Sequence, residues 1–426
     1  MIKYSYCTLL FLVIFSAVMN GQKVFLTYET DIKPIILKHC IDCHHDSGPG
    51  PFSLERFEDV KKRAKFIAHL AEIKYMPPWK ADPGFRTYRN QRIMTESEIA
   101  ILKQWAGSPL IKGKTKKIKD LKLKLPREKP ALQLTMKKPY SLIVNNTDDF
   151  RFFHIPSGIS RSYYITGIQF IPGNKRQVHH SRIMVDTTNT MQGIDGLSET
   201  DPAVYAFQYT PLADEFLYGW VPGNFVFRFP KGFGKKIRAE SDIILNVHYA
   251  PTTIPQTDRS EIKIWLDSVE SMAREVKTFI LKETDISNQP FYLKANTKPV
   301  FYMSSGVIEK DISLLTIQPH AHLLCKSMRA FAITADGDMI PLIHIPSWDF
   351  NWQNTYEFEQ LVHIPAGSVI IMEGQYDNTE DNVRNPNHPP ADVGYGWRTV
   401  DEMMNLIFYY VDYQTGDESK KLEYPE

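Results

Sequence analysis

Cysteine is scarce in this sequence: four residues in 426, at positions 7, 40, 43 and 325. Cys7 falls in the N-terminal apolar run and Cys40 and Cys43 stand two residues apart, which leaves Cys325 alone. An internal disulfide framework is excluded, so stability must come from buried apolar surface. An excess of one charge sign is missing too. Lys and Arg together number 50 against 49 Asp and Glu, which removes any global field for nucleic acid or an anionic membrane. The apolar stretch from Cys7 to Met19 is shorter than the roughly 20 residues that span a bilayer. With Lys3 ahead of it and small, polar residues behind, it reads as the core of a signal peptide over 1–21, although no Ala-x-Ala precedes a cleavage point. The expectation is an exported protein, periplasmic or secreted, with no stable membrane span after signal removal.

Cys40-Ile41-Asp42-Cys43-His44 has the C-x-x-C-H spacing in which two thiolates attach a haem and the following His becomes an axial iron ligand. Covalent haem c is generally attached outside the bacterial cytoplasm, which agrees with export. His45 is not explained by the motif. Around it the pattern is helical: "FEDVKKRAKFIAHLAEI" repeats apolar residues at three- and four-residue intervals, and "TESEIAILKQWAG" opens with a Thr-x-x-Glu capping box and closes on Gly107. Met76, in the Pro-stiffened "YMPPW", is the expected sixth ligand, with His39, His45 and His69 as competitors. Residues 22–110 are thus expected to form a small all-α cytochrome c domain. The stretch resembles the cytochrome c module that some bacteria fuse to larger redox proteins, in which "CxxCH…PFSL…MPPW" recurs; here it is Cys40 to His44, Pro51 to Leu54 and Met76 to Trp79.

Residues 111–135 are Lys-rich through "IKGKTKKIKDLKLKLPREKP", without an aromatic in that run, and read as a solvated linker. Beyond it the texture changes to short β-branched runs such as "RSYYITGIQFIP", "DIILNVHYA" and "GSVIIMEGQY", punctuated by Pro, Gly and Asn. Such runs predict antiparallel strands. The remaining length predicts two sandwiches in tandem, 136–270 and 271–426. The expected fold is multidomain: the small α domain followed by two all-β antiparallel jelly-roll sandwiches.

Five of the thirteen histidines sit in these β contexts. His179 and His180 are adjacent, and neighbours on a flat strand face opposite ways, so both rings reach one metal only at a strand end or bulge. His248 ends a β run in "ILNVHYA". His320 and His322 flank Ala321, an interval that puts both rings on one face. A single β histidine is more often a satisfied polar residue, and imidazole alone does not choose among zinc, copper, iron and nickel. A thioether does favour Cu(I), and Met403 and Met404 in "DEMMNLIFYY" offer one, though only one of the pair can face inward.

These motifs, in the order "VHH", "VHY", "HAH", "GQYDNTEDN" and "DEMMNLIFYY", resemble the copper type II, ascorbate-dependent monooxygenases, the peptidylglycine α-hydroxylating and dopamine β-type enzymes, from about Phe150 to Tyr413. The resemblance implies two copper ions. His179, His180 and His248 would hold a copper that stores and relays an electron. His320, His322 and Met403 would hold one that binds and activates O2, with Asn405 also matching. It implies hydroxylation of a C–H bond of a small organic substrate by O2, with the coppers on two sandwiches that face each other across a solvent-filled cleft. Here the fused haem would pass on electrons from a small reductant or redox protein.

The sequence departs from the family in two ways. The disulfides of the animal enzymes are absent. Positions where the peptide-amidating relatives carry an Arg and a Tyr that hold the substrate carboxylate are Gln318 and Ile407 here, which argues against a glycine-extended peptide. The competing reading is a non-catalytic haem or copper electron-transfer protein. Cys325 is expected to pack as a small apolar residue and Asn145-Asn146-Thr147 to form a surface turn.

Overall fold

The computed structural model describes residues 25–46, 48–114, 128–188, 190–205, 216–224, 226–271 and 274–425. The expected signal peptide and most of the Lys-rich run lie outside these residues. Among the described residues no helix is long and apolar enough to cross a membrane. The chain is mostly β, with its helices gathered near the start.

Four helices, α1 (Lys33–His39), α2 (Phe57–Lys62), α3 (Ala64–Glu72) and α4 (Glu96–Ala106), follow one π turn at Tyr28–Ile32. They enclose a core of their own that includes Ile32, Ile36, Leu102 and Trp105. The capping box at α4 is formed: Glu98 N donates to Thr95 Oγ1 at 3.2 Å and Thr95 N donates to Glu98 Oε2 at 2.8 Å. The sequence pattern predicts one helix over "FEDVKKRAKFIAHLAEI", but the chain breaks at Arg63. Its guanidinium donates to Asp59 O at 3.2 Å and lies 4.4 Å from the Phe52 ring centroid, while its own N–H turns to Val60 O. The side chain takes the carbonyl that the next α turn would have used.

Two sandwiches follow. In the first, a six-stranded sheet built around Tyr163–Ile171 and Glu261–Asp267 faces a five-stranded sheet built around Asp149–Ile155, Val178–Asp186 and Asp242–Tyr249. In the second, Lys277–Leu281, Met404–Asp412, Ile312–Ala321 and Tyr356–Ile364 form one four-stranded sheet; Val300–Val307, Val369–Tyr376, Cys325–Ile333 and Met339–Ile345 form the other. The expected linker ends in a strand, Leu132–Thr135, that pairs with Glu261–Asp267 because Leu132 and Leu134 pack on the first core. Arg274–Glu275, just past the expected division at 270, pairs with Phe233–Ile237 of the first sandwich.

The sandwiches share packing. Leu315, Leu361, Tyr409 and Val411 of the second belong to the core of the first, and Tyr409 Oη donates to Leu217 O at 2.5 Å. A buried pair closes the join: Arg274 donates to Asp417 at 2.6 and 2.9 Å, and Ser313 Oγ donates to the same carboxylate at 2.7 Å. The helical region docks through the segment after α3. Tyr88 Oη donates to Leu342 O at 2.7 Å, Asn90 Nδ2 to Thr355 O at 2.8 Å and Arg92 to Gly223 O at 3.0 Å. Removing one partner of a buried ion pair strands the other charge at a cost of about 3–5 kcal/mol. Asp417→Ala is therefore expected to lower the urea-unfolding free energy by about that much, whereas Lys277→Ala, which removes an exposed pair with Asp412, is expected to cost about 1 kcal/mol or less.

Candidate functional site

The strand Val178–Asp186 runs antiparallel to Asp242–Tyr249 with His180 opposite His248. The next pair is Val178 with Tyr249, so His179 is the extra residue of a bulge. That is the condition under which adjacent histidines can point into one site. His179 Nδ1 and His248 Nδ1 each lie 3.2 Å from His180 Nδ1, and the three residues offer ligand atoms all within 4.8 Å of one another. Metal–imidazole bonds of about 2.0–2.1 Å give tetrahedral ligand edges of about 3.3 Å, so the spacing fits one ion. The outer nitrogens are engaged: His248 Nε2 with Asp148 Oδ1 at 2.9 Å, and His179 Nε2 with Asn351 Oδ1 of the second sandwich at 3.2 Å. These contacts orient each ring with Nδ1 inward.

The second set stands at strand ends. His320 is on Ile312–Ala321, opposite Asn405; His322 follows that strand, and Met403 precedes Met404–Asp412. His320 Nδ1 contacts Gln353 Oε1, and His322 Nδ1 lies 3.0 Å from Asp401 O. Both rings therefore keep Nε2 for a ligand. Met403 lines the cavity beside them, while Met404 is packed in the core of the second sandwich. Glu402 braces the arrangement. Its carboxylate accepts N–H bonds from His322, from Leu324 at 2.9 Å and from Met403 at 2.9 Å, so one side chain sets both ligand-bearing ends.

One cavity of about 140 Å³ is bordered by His180 from the first set and by His320, His322 and Met403 from the second. Phe216, Trp220, Ile280 and Ile407 supply apolar wall, and Arg182, Lys282, Glu283, Gln318 and Asn405 supply polar groups. Gln318 accepts from Thr355 Oγ1 at 3.0 Å, and Asn405 Nδ2 donates to Glu283 Oε1 at 3.0 Å. A Cβ at Gly219 would stand 2.7 Å from Gln318 Nε2, so a larger residue here would push the Gln318 amide aside. One aromatic ring contacts both sets. Phe350, 6% exposed, has its ring centroid 5.5 Å from that of His179, 6.2 Å from His180 and 5.9 Å from His322.

Burial sets the protonation. It lowers His179 and His322 to about 4, His320 to about 3, and His180 well below the ordinary 6.5. These imidazoles are neutral near pH 7, the form that binds a metal. Burial pushes Glu402 up to about 8 and Glu283 up to about 7, against the pull of their hydrogen bonds.

A second cavity, of about 310 Å³, lies in the helical region, within the usual range of roughly 300–1,000 Å³ for ligand pockets. Cys40, Cys43, His44 and Met76 all line it. Both cysteines are free thiols. His44 Nδ1 is held by Phe52 O at 2.9 Å, which turns Nε2 to the cavity side. A Cβ at Gly50 would stand 2.8 Å from His44 Nδ1, so only glycine lets the loop cover this ring. His39 lines the cavity, but its Nε2 lies 3.1 Å from Glu98 Oε1. Met94 is a second thioether on the wall that the sequence did not single out. Pro222 and Trp352, from the two sandwiches, complete it.

Residues 297–423 match the family model for the copper type II ascorbate-dependent monooxygenase C-terminal domain. The match covers most of the second sandwich, beginning after its strand Lys277–Leu281, and includes His320, His322, Met403 and Asn405; it supports copper monooxygenase-type function at that general level. No curated protein matches the chain. Among solved structures, the major capsid protein P2 of bacteriophage PM2 is similar at 9% identity over 67% of this chain and 99% of that one, with a TM-score of 0.26. An allantoicase is similar at 12% identity over 56% of this chain and 78% of that one, with a TM-score of 0.19. Likenesses with such low TM-scores carry no argument.

Several site residues escaped sequence reasoning. Arg182 was legible, since it stands two residues after His180 on one strand and shares its face. Phe350, Asn351 and Gln353 gave no local signal. Two tests follow. Glu402→Gln replaces an acceptor oxygen by an NH2 group facing backbone N–H groups; it should cost about 1–3 kcal/mol in urea unfolding and weaken metal retention at the His320 set. For His320, the folded form binds fewer protons than the unfolded chain below pH 6.5, so its contribution is present above that pH and fades on acidification. In copper-free protein, the stability difference between wild type and His320→Gln should shrink by about 1.4 kcal/mol per pH unit on going below 6.5.

Proposed function

We propose that the protein is a copper-dependent monooxygenase that hydroxylates a C–H bond of a small organic substrate with O2, drawing its electrons through a c-type haem held in its helical region. The observation that carries this reading is the single cavity bordered by His180 on one side and by His320, His322 and Met403 on the other. When bound, copper supplies one-electron storage and oxygen activation, and haem supplies single electrons.

The chain's own residues do the rest. His179, His180 and His248 present three Nδ1 atoms to one copper, with Asn351 and Asp148 fixing the ring tautomers from outside. His320 and His322 present Nε2, and the soft thioether of Met403 favours the cuprous state. Glu402 holds these ligands in register. Phe350 packs against imidazoles of both sets, while Arg182, Glu283, Gln318 and Asn405 would orient a substrate against the apolar walls. In the helical cavity Cys40 and Cys43 would attach the haem, and His44 and Met76 would hold its iron, with Met94 as a rival to Met76. The C-x-x-C-H motif and the N-terminal apolar run together support export to the periplasm or beyond. The immediate electron donor to the haem is a small reductant or a redox protein.

The experiment is a copper titration of purified haem-loaded protein, followed by EPR and by O2 uptake during a substrate screen. Two coppers per chain are expected, with one lost in His248→Ala and the other in His320→Ala, and substrate-dependent O2 uptake abolished in both. Saturation at a single copper, or retention of both in His320→Ala, overturns the assignment. Full copper loading with no O2 uptake on any substrate favours a non-catalytic electron-transfer protein.

A further inference from the structure

We propose that residues 350–352 are the electron path from the helical cavity to both histidine sets, with Trp352 its input on the haem side. The proposal rests on the haem and copper reading above and assigns the route.

Three consecutive side chains make the connection. Trp352 lines the cavity that Cys40, Cys43, His44 and Met76 also line. One peptide unit away, Asn351 places Oδ1 3.2 Å from His179 Nε2. One further residue back, Phe350 stacks on His179 with ring planes 21° apart and meets the His322 ring edge-on at 89°. A path from the cavity therefore reaches the first set by one peptide unit and one hydrogen bond, and reaches the second by one ring contact more.

The segment is held still, which a fixed electron path requires. Trp348 Nε1 donates to His322 O at 3.1 Å, Arg384 donates to Asp349 at 2.6 Å, and Gln353 Nε2 donates to Phe350 O at 2.9 Å. The helical region grips the same stretch: Lys80 Nζ lies 3.4 Å from Asp349, and Asn90 Nδ2 donates to Thr355 O at 2.8 Å. The cavity, the segment and the imidazoles are thus tied into one body.

A competing route starts at Pro222, which also lines the cavity, with Gly223 close to Cys43. It runs through Val221 and Trp220 to a strand pairing with Ser181. Ser181 is not one of the imidazoles, so this route needs more covalent steps to reach His180. The shorter route is through Trp352. Each transfer moves one electron, taking ferrous haem iron to ferric and cupric copper to cuprous, with no bond made or broken and no proton moved.

The test is pulse radiolysis of oxidised, haem- and copper-loaded protein without O2, following the reduced-haem absorption band as it forms and decays. In the wild type the band should decay as the cupric EPR signal is lost. Trp352→Leu should slow that decay by at least an order of magnitude, while Trp352→Phe, which keeps an aromatic ring at the cavity wall, should retain most of the rate. In both variants the haem spectrum and the cupric EPR spectrum should match wild type, which a merely structural defect would not allow. Asn351→Ser, at an exposed position, should slow the same decay and serves if Trp352→Leu does not fold. Unchanged decay in Trp352→Leu and Asn351→Ser overturns the path and leaves the haem and copper reading standing. Loaded wild-type protein whose reduced haem never passes its electron to copper overturns that reading and the path with it.

Discussion

The site depends on the packing of one sandwich against the other. Leu315, Leu361, Tyr409 and Val411 leave the core of the second sandwich to complete that of the first, and the buried Arg274–Asp417 pair locks the two together. Apolar burial supplies the attraction and the ion pair adds register, because an uncompensated buried charge penalises any other arrangement. Only with this join in place does Asn351, on the second sandwich, reach His179 on the first. Only then do His180 and Met403 border the same cavity.

Within that frame the two histidine sets are prepared differently. The first is made by a bulge that turns His179 out of the strand alternation and brings three Nδ1 atoms together. The second is made by strand ends, with His322 just after one strand and Met403 just before its neighbour, both tied to Glu402. Bulges and strand ends share a physical property: the backbone is released from the ladder, so side chains can be aimed. On His179, His248, His320 and His322 the nitrogen not aimed at the shared site is engaged, and burial keeps most of the rings neutral.

Much of this was legible from the sequence, and the reasons are local. The capping box of α4, the C-x-x-C-H motif and the adjacency of His179 and His180 are each read within a few residues. The choice of Met403 over Met404 for the cavity rested on the family resemblance, and the two side chains do part, one to the cavity and one to the core. What stayed hidden depends on distant contacts. The break at Arg63 depends on a carbonyl captured by its own side chain. Phe350, Asn351 and Gln353 matter because the sandwich join carries them to imidazoles far away in sequence, and "DFNWQN" has no periodicity that points there. Glu402 was hidden beside the methionines, although a carboxylate between two strand ends is where three backbone N–H groups need an acceptor.

The proposal at the centre is that one chain would hold a haem and two coppers as three connected one-electron centres. A reductive titration of the fully loaded, oxidised protein under anaerobic conditions, counted in electron equivalents per chain, tests it most directly. The account predicts three equivalents, with the haem band and two cupric EPR signals all responding. Uptake of one equivalent, confined to the haem or to a single copper, would contradict it.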